Sequence, residues 1–351
     1  MQSAIDIKTG INKLNKRRAL ILIISAVLVF ILFILSMGIG STWINPIEVF
    51  KGLFNQSDDV TNAIVHGVRI PRAVAALICG AALGSVGVIM QTNLNNPMAS
   101  PSTLGVSNAA VLGANLGILI LSSGASTQRF SNPYVVILFA FTFAVVATLL
   151  ILTLSGFKNF APSSVILVGI ALSTFFTAIT TLIQFFATDV QLSAMMHWSF
   201  GDLGRTTNTD NLILTVIVAV SFLIFMILAP RYNALNAGDD LAKSVGVNTN
   251  LLRFASLLLA SFVIAGTISY FGIIGFVGIM APHIMRRIIG NDHRFLIPAS
   301  ALFGIIILQI SDIIAKSAFA GIALPVGAIT AILGAPFFLY LVFSKDGGLR
   351  R

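Results

Sequence analysis

Residues 73–128 read AVAALICGAALGSVGVIMQTNLNNPMASPSTLGVSNAAVLGANLGILILSSGASTQ, 56 consecutive positions without an Asp, Glu, Lys or Arg. A helix crossing the hydrocarbon core of a bilayer needs about 20 apolar residues. The run is therefore too long for one span and too apolar for a solvated surface. It must turn within itself, and Asn93-Leu94-Asn95-Asn96-Pro97, followed by Pro101, supplies the break. A pair of membrane helices joined by a tight connection is the reading.

The same pattern repeats along the chain. Residues 19–47, 130–157, 159–188, 211–230, 254–285, 295–311 and 317–344 also lack charged residues. The run 254–285 again exceeds one span and divides near Tyr270–Gly272, so that a short helix carries Gly275 to Ile289. The expectation is an all-α polytopic membrane protein with ten spans, at 19–38, 71–91, 104–122, 134–155, 163–187, 211–229, 254–270, 274–289, 296–316 and 326–343. Barrel strands would alternate apolar and polar residues over about ten positions; these runs are apolar all round. The apolar run to Leu35 is longer than that of a signal peptide, so the first span is read as uncleaved.

Composition points the same way. The chain has 351 residues, 57% hydrophobic and 9% charged, against about 25% charged in ordinary soluble domains, which excludes a water-soluble enzyme. One cysteine, Cys79, excludes an internal disulfide framework or a Cys-based metal cluster. The net charge of +9 does not imply nucleic acid, because the basic residues punctuate apolar runs instead of clustering. With both ends in the cytoplasm, Lys8, Lys13, Lys16, Arg17, Arg18, Lys158, Arg231, Lys243, Arg253, Arg286, Arg287, Arg294, Lys345, Arg350 and Arg351 fall inside. Only Lys51, Arg69, Arg72, Arg129, Arg205 and Lys316 fall outside, the asymmetry expected of membrane proteins.

Several local features carry candidate chemistry. Pro230 ends one helix, and Gly238 and Gly246 bracket a short helix over Asp239–Ser244, whose N-terminal Asp239 and Asp240 suit the helix dipole. This segment is either a solvated loop or a docking element, in which Ala237, Gly238 and Ala242 would permit close approach. Gly80, Gly84 and Gly87, and Gly272, Gly275 and Gly278, form small faces for helix packing or for lining a pore. Ser163, Ser164, Ser173, Thr174, Thr177, Thr180 and Thr181 give the fifth span a polar stripe, which either lines a pathway or bonds back to its own carbonyls. His283 and Arg286 share a face but lack a nearby third metal ligand. His197 could touch cargo, while Trp198 suits interfacial anchoring. Spans two and seven hint at an inverted repeat. The only acid near a span is Asp312, which disfavours an ion-coupled carrier. No His-Glu-x-x-His or paired-acid span supports an intramembrane enzyme.

Four blocks in order carry a family resemblance. They are Arg69-Ile70-Pro71-Arg72 with Gln91, Asn96, Pro97, Pro101 and Gly105; Leu235 to Ala242 with Gly246; Gly275-Phe276-Val277-Gly278 with Pro282, His283, Arg286 and Asp292-His293-Arg294; and Pro325 and Gly327 with Pro336. The chain resembles, over residues 20–345, the FecCD-type permease subunits of ABC importers for ferric siderophores, haem and vitamin B12. It departs at Asn95, where Arg is frequent, at Met98, where Leu is usual, and at Ala323, where Glu is frequent. The resemblance implies one permease domain over 1–351, with a basic cytoplasmic tail (1–18) and a coupling loop (230–252), in a bacterial cytoplasmic membrane. It implies a second permease subunit, two separate ATPase subunits and an external binding protein, with a ferric siderophore as the favoured cargo and no cofactor or metal of its own. Arg69, Arg72 and Lys316 would dock the binding protein, unless they snorkel to lipid headgroups. Ala237, Gly238, Asp239, Asp240, Ala242 and Gly246 would couple to the ATPase, and Pro162, Ser163 and Ser164 would belong to the cytoplasmic gate.

No Gly-x-x-x-x-Gly-Lys-Ser/Thr pattern occurs anywhere in the chain. The purified chain, shown free of other subunits, should neither bind nor hydrolyse ATP. Turnover in such a preparation would contradict the assignment.

Overall fold

The computed structural model describes residues 2–40, 44–102, 104–122, 132–319 and 323–343. Its regular elements are helices: α1 (Gln2–Gly38), α2 (Pro46–Leu53), α3 (Asp59–Ile64), a π-helical turn (Val65–Arg69), α4 (Ile70–Asn93), α5 (Val106–Ser122), α6 (Pro133–Gly156) and α7 (Pro162–Phe186). Then follow α8 (Asp189–Ser199), a 3-10 turn (Leu203–Arg205), α9 (Asn208–Asn236), α10 (Asp239–Ser244), α11 (Thr249–Phe271), α12 (Val277–Ile289), α13 (His293–Ser317) and α14 (Val326–Phe343). Each expected span falls on a helix. Seven helical stretches are long and apolar enough to cross a membrane, and α5 and α14 are shorter apolar helices. Arg129, Lys345, Arg350 and Arg351, used for the charge asymmetry, lie outside the described residues.

Helix α4 is the centre of the bundle. It packs against α13, α9, α11 and α12, and 83% of its most apolar window is buried, against 17% in α1 and α7 and 22% in α9. The peripheral helices therefore present apolar faces to lipid or to partners, while α4 needs close neighbours on all sides. Glycine provides them. A Cβ on Gly84 would fall on the Ser300 carbonyl, one on Gly87 on the Gly278 carbonyl, and one on Gly80 on the backbone of Gly304 and Ile305. These contacts are the packing alternative for that glycine face, since van der Waals approach is what joins helices in lipid. The second face is corrected in part: Gly275 meets nothing within 4 Å.

Two prolines lie within helices that continue through them, and one of these, Pro230, stands where the sequence places a helix end. Pro71 lies just inside a helix that runs on from Asp59; the π-helical turn before it takes up the lost donor, with the Ile70 N–H reaching Val65 O. Pro230 lies inside α9, which continues to Asn236 because Tyr232 and Leu235 are buried beyond it. The loop carrying α10 is accordingly shorter than 230–252. The break at Tyr270–Gly272 does occur: Gly272 has φ 75°, an extended segment follows, and α12 starts at Val277 after Phe276 with φ 65°. That non-glycine positive φ costs about 1–3 kcal/mol. It is held by the Phe276 side chain fitting against Gly334 of α14.

Gly84→Val should destabilise the detergent-solubilised protein by about 3 kcal/mol or more, because backbone cannot retreat as a side chain can. Gly67→Ala, where an added Cβ meets nothing within 4 Å, should leave the unfolding temperature within 2 °C or so of the parent. Equal melting of the two variants would refute the packing account.

Candidate functional site

Three basic side chains gather where α1 stops and α4 starts. Arg69 is buried and donates to the carbonyls of Met37 and Gly38, at 2.6 and 2.7 Å, so it satisfies the C-terminal end of α1. Arg72 Nε donates to Asp312 Oδ1 at 2.7 Å, and its Nη1 lies 3.2 Å from Asp202. Lys316 reaches Asp312 Oδ2 at 2.7 Å and the carbonyl and hydroxyl of Ser36 at 2.9 Å each. Asp312 is fully buried, so its charge is balanced from both sides by Arg72 and Lys316. The three cations expected to project outward are thus turned into the chain. Within this cluster, three positive groups against two carboxylates leave one net positive charge. Asp202 and Asp312 were not in the expected set; they stand 130 and 240 residues from Arg72.

The opposite end is organised by α10. Gly238 precedes it with φ 121° and nothing within 4 Å of an added Cβ; Gly246 follows at φ 85°, equally open. Asp239 is engaged by Arg253 in a two-pronged pair, Nη1 to Oδ2 at 2.7 Å and Nη2 to Oδ1 at 2.6 Å. This bond holds the Asp239 carboxyl below the usual carboxylate range. The depressed value means that the link contributes above the ordinary carboxylate pKa and is lost only as pH falls through the lower, folded one. Asp240 and Ala237 are exposed, but Ala242 is fully buried and cannot meet a partner. The large exposed apolar residues of this segment are instead Leu241 and Val245, which a pattern of small residues does not single out.

Beside α10, the ends of five helices are tied by polar contacts. Arg253 Nε donates to Asn93 O at the end of α4. Thr92 Oγ1 lies 2.7 Å from His293 Nε2, and Asn233 bonds both His293 and Asp292. Arg18 of α1 donates to Ile289 O at 2.9 Å, with Asp292 at 3.6 Å.

The remaining expected residues are dispersed. Pro162 opens α7, with Ser163 exposed and Ser164 half-buried. Thr174, Thr177, Thr180 and Thr181 all donate to carbonyls one turn back, so the stripe satisfies itself. Asn108 of α5 adds a cross-link to Ser173 and Thr177. Gln91 Nε2 donates to Gly278 O at 3.4 Å, and Asn96 Oδ1 accepts from Met98 N, turning the chain at Pro97. Pro101 is buried; Gly105, at φ 75°, lies against Gly169 O and Ser173. Pro282 is buried within α12, His283 meets the Phe337 ring edge-on, and Arg286 is half-buried. Pro325 precedes α14, Gly327 accommodates the carbonyls of Phe200 and Ile273, and Pro336 is inside α14. Trp198 is buried, not an interfacial anchor, and it shares a cavity of about 300 Å³ with His197, Arg205 and Tyr270. Among the described residues no group of three or more His, Cys, Asp or Glu could hold a metal.

A model of the FecCD transport family matches residues 28–344. A Methanocaldococcus jannaschii protein assigned as an ABC transporter permease, MJ0087, is 42% identical over 97% of this chain and 98% of its own. The Fe(3+)-citrate import system permease protein YfmE of Bacillus subtilis is 35% identical over 93% of this chain and 96% of its own. Among solved structures, a transporter assigned to the metal-chelate ABC type, in an inward-facing conformation, superposes with a TM-score of 0.78 at 27% identity. That match covers 93% of this chain and all but 1% of the other.

Removing the shared carboxylate strands two buried cations. Asp312→Ala should therefore cost about 3–5 kcal/mol of stability, and added salt should change that cost little, since buried pairs are weakly screened. Asp202→Asn, at the exposed edge of the cluster, should cost under about 1 kcal/mol. Thermal unfolding of the two variants in detergent, at low and high salt, measures both; a mild Asp312→Ala phenotype would contradict the network.

Proposed function

Because the chain belongs to the FecCD transport family of multi-span ABC importer permeases in the cytoplasmic membrane, we propose that it translocates a ferric siderophore delivered by an external binding protein. It works as one of two permease subunits around a central pathway, with two ATP-hydrolysing subunits on the cytoplasmic side. On this reading the chain spans the membrane ten times, and the α10 end, with the denser share of Lys and Arg, faces the cytoplasm. Full-length similarity to ABC permeases supports it above all.

Two features of the chain support the assignment of ends. The α10 segment exposes Leu241 and Val245 beside two open glycines, a short apolar knob suited to a cleft on the ATPase. At the opposite end Arg69, Arg72 and Lys316 outnumber the two carboxylates that engage them, a local excess to which acidic lobes of a binding protein would be drawn. Since those side chains are engaged within the chain, docking acts through the residual charge of the cluster and weakens with salt. The gate is assigned to the start of α7, at Pro162, Ser163 and Ser164. An ion-coupled mechanism is disfavoured because Asp312, the acid within α13, is committed to Arg72 and Lys316. Haem or a corrinoid is the alternative cargo within the same family.

Two experiments test this. In the reconstituted complex with its binding protein, ferric siderophores should stimulate ATP hydrolysis while haem and cobalamin do not; stimulation by either of the latter reassigns the cargo. Gly238→Trp should insert normally but stop the ATPase subunit co-purifying or abolish uptake. Gly238→Ala, which shares the backbone strain without the bulk, should retain most of both. Normal uptake by the Trp variant would show that Gly238 is a turn residue alone.

A further inference from the structure

The contacts of Arg253 are more extensive than an ion pair needs. Its side chain is 95% buried, at the start of α11, and its three donor groups face two different elements. Nη1 and Nη2 clasp Asp239 of α10, and Nε holds the carbonyl of Asn93, the last residue of α4. The fork is what makes this possible: a planar guanidinium presents fixed, divergent donors, whereas a lysine offers one point charge. Asn93 O is one of the unsatisfied carbonyls of a helix end, so the bond attaches to the backbone of α4.

Helix α4 is about 36 Å long and is gripped at its other end as firmly. There Arg72 joins Asp312 of α13 and Asp202 before α9, and Pro71 O accepts from Asn211 of α9. Between its ends α4 is held at backbone contact by Gly80, Gly84 and Gly87. A helix so packed moves as a rod and does not bend, because tightly packed interfaces do not deform continuously.

We propose that Arg253 is the positioning residue through which α10 moves α4, its guanidinium tying Asp239 to the terminal carbonyl of α4 so that displacement of α10 reaches the Arg72 cluster at the far end. This rests on the reading that α10 docks the ATPase subunit. Arg253 touches neither cargo nor nucleotide; its role is to keep the two ends of the molecule in one mechanical unit. A plain stabilising ion pair would need only Asp239 and would be indifferent to Asn93.

The test uses the assembled transporter, purified through this chain, with spin labels at Val68 and Val190, both exposed and both near the Arg72 end. Distances are measured with and without ATP and vanadate. In the parent, nucleotide should shift the main distance by about 2 Å or more, the scale of helix shifts in switching proteins. In Arg253→Gln the same amount of ATPase subunit should co-purify, but the shift should disappear. The exchanged pair Asp239→Arg with Arg253→Asp restores opposite charges without a donor for Asn93 O. It should recover only the part of the thermal stability that the ion pair supplies, since Asn93 O stays without its donor, and still show no shift. Asp239→Asn, altering a carboxylate that is 41% exposed, serves if Arg253→Gln does not fold, and should reduce the shift at least twofold.

A full nucleotide-dependent shift in Arg253→Gln, in the exchanged pair or, where it substitutes, in Asp239→Asn would overturn the proposal. No shift in a parent complex that carries its ATPase would overturn it too. Failure of the ATPase to co-purify with the parent chain would instead count against the assignment of α10 itself.

Discussion

A charge placed inside an apolar bundle must be neutralised where it sits, since the desolvation cost of an unpaired ion there is several kcal/mol. This chain obeys that constraint at both ends of α4. Arg72 and Lys316 share Asp312 at one end, and Arg253 takes Asp239 and a helix-terminal carbonyl at the other. Both arrangements join segments far apart in sequence. The pairs therefore do more than balance charge: they decide which helix ends stay together, and so where the two faces of the molecule are anchored.

Between those anchors, apolar packing depends on the absence of side chains. Gly80, Gly84 and Gly87 bring α4 onto α13 and α12, and Gly304 returns the contact from the other side. The third and fourth sequence blocks meet by the same logic, with Gly334 receiving Phe276 and Gly327 receiving the Ile273 carbonyl. The extended stretch after Gly272 leaves α12 only 13 residues long. Gly272 and Ile274 of that irregular backbone are buried within the bundle, the setting in which non-helical backbone is tolerated in membrane proteins.

Much of this was legible in the residues, for physical reasons. Charge-free runs report helices because the bilayer sets their length, and Gly238 and Gly246 report the limits of α10 because only glycine rests easily at their φ values. What was not legible depends on distant partners. Pro230 stays helical because Tyr232 and Leu235 are packed beyond it, and Trp198 is buried by helices that no local pattern places beside it. Arg69, Arg72 and Lys316 look like free cations until Asp202, Asp312 and the end of α1 are folded onto them. The small size of Ala242 suggests close approach to a partner, but its direction on a six-residue helix turns it inward and leaves Leu241 and Val245 outside.

The claim on which the rest stands is that α10 is the surface that meets the ATP-hydrolysing subunit. A photo-reactive residue introduced at Leu241 or Val245, in membranes of the native host, tests it most directly. The account predicts a cross-link to the nucleotide-binding subunit from both positions, and none from Val68 at the opposite end. Cross-links from Val68 instead, or from neither α10 position, would contradict it.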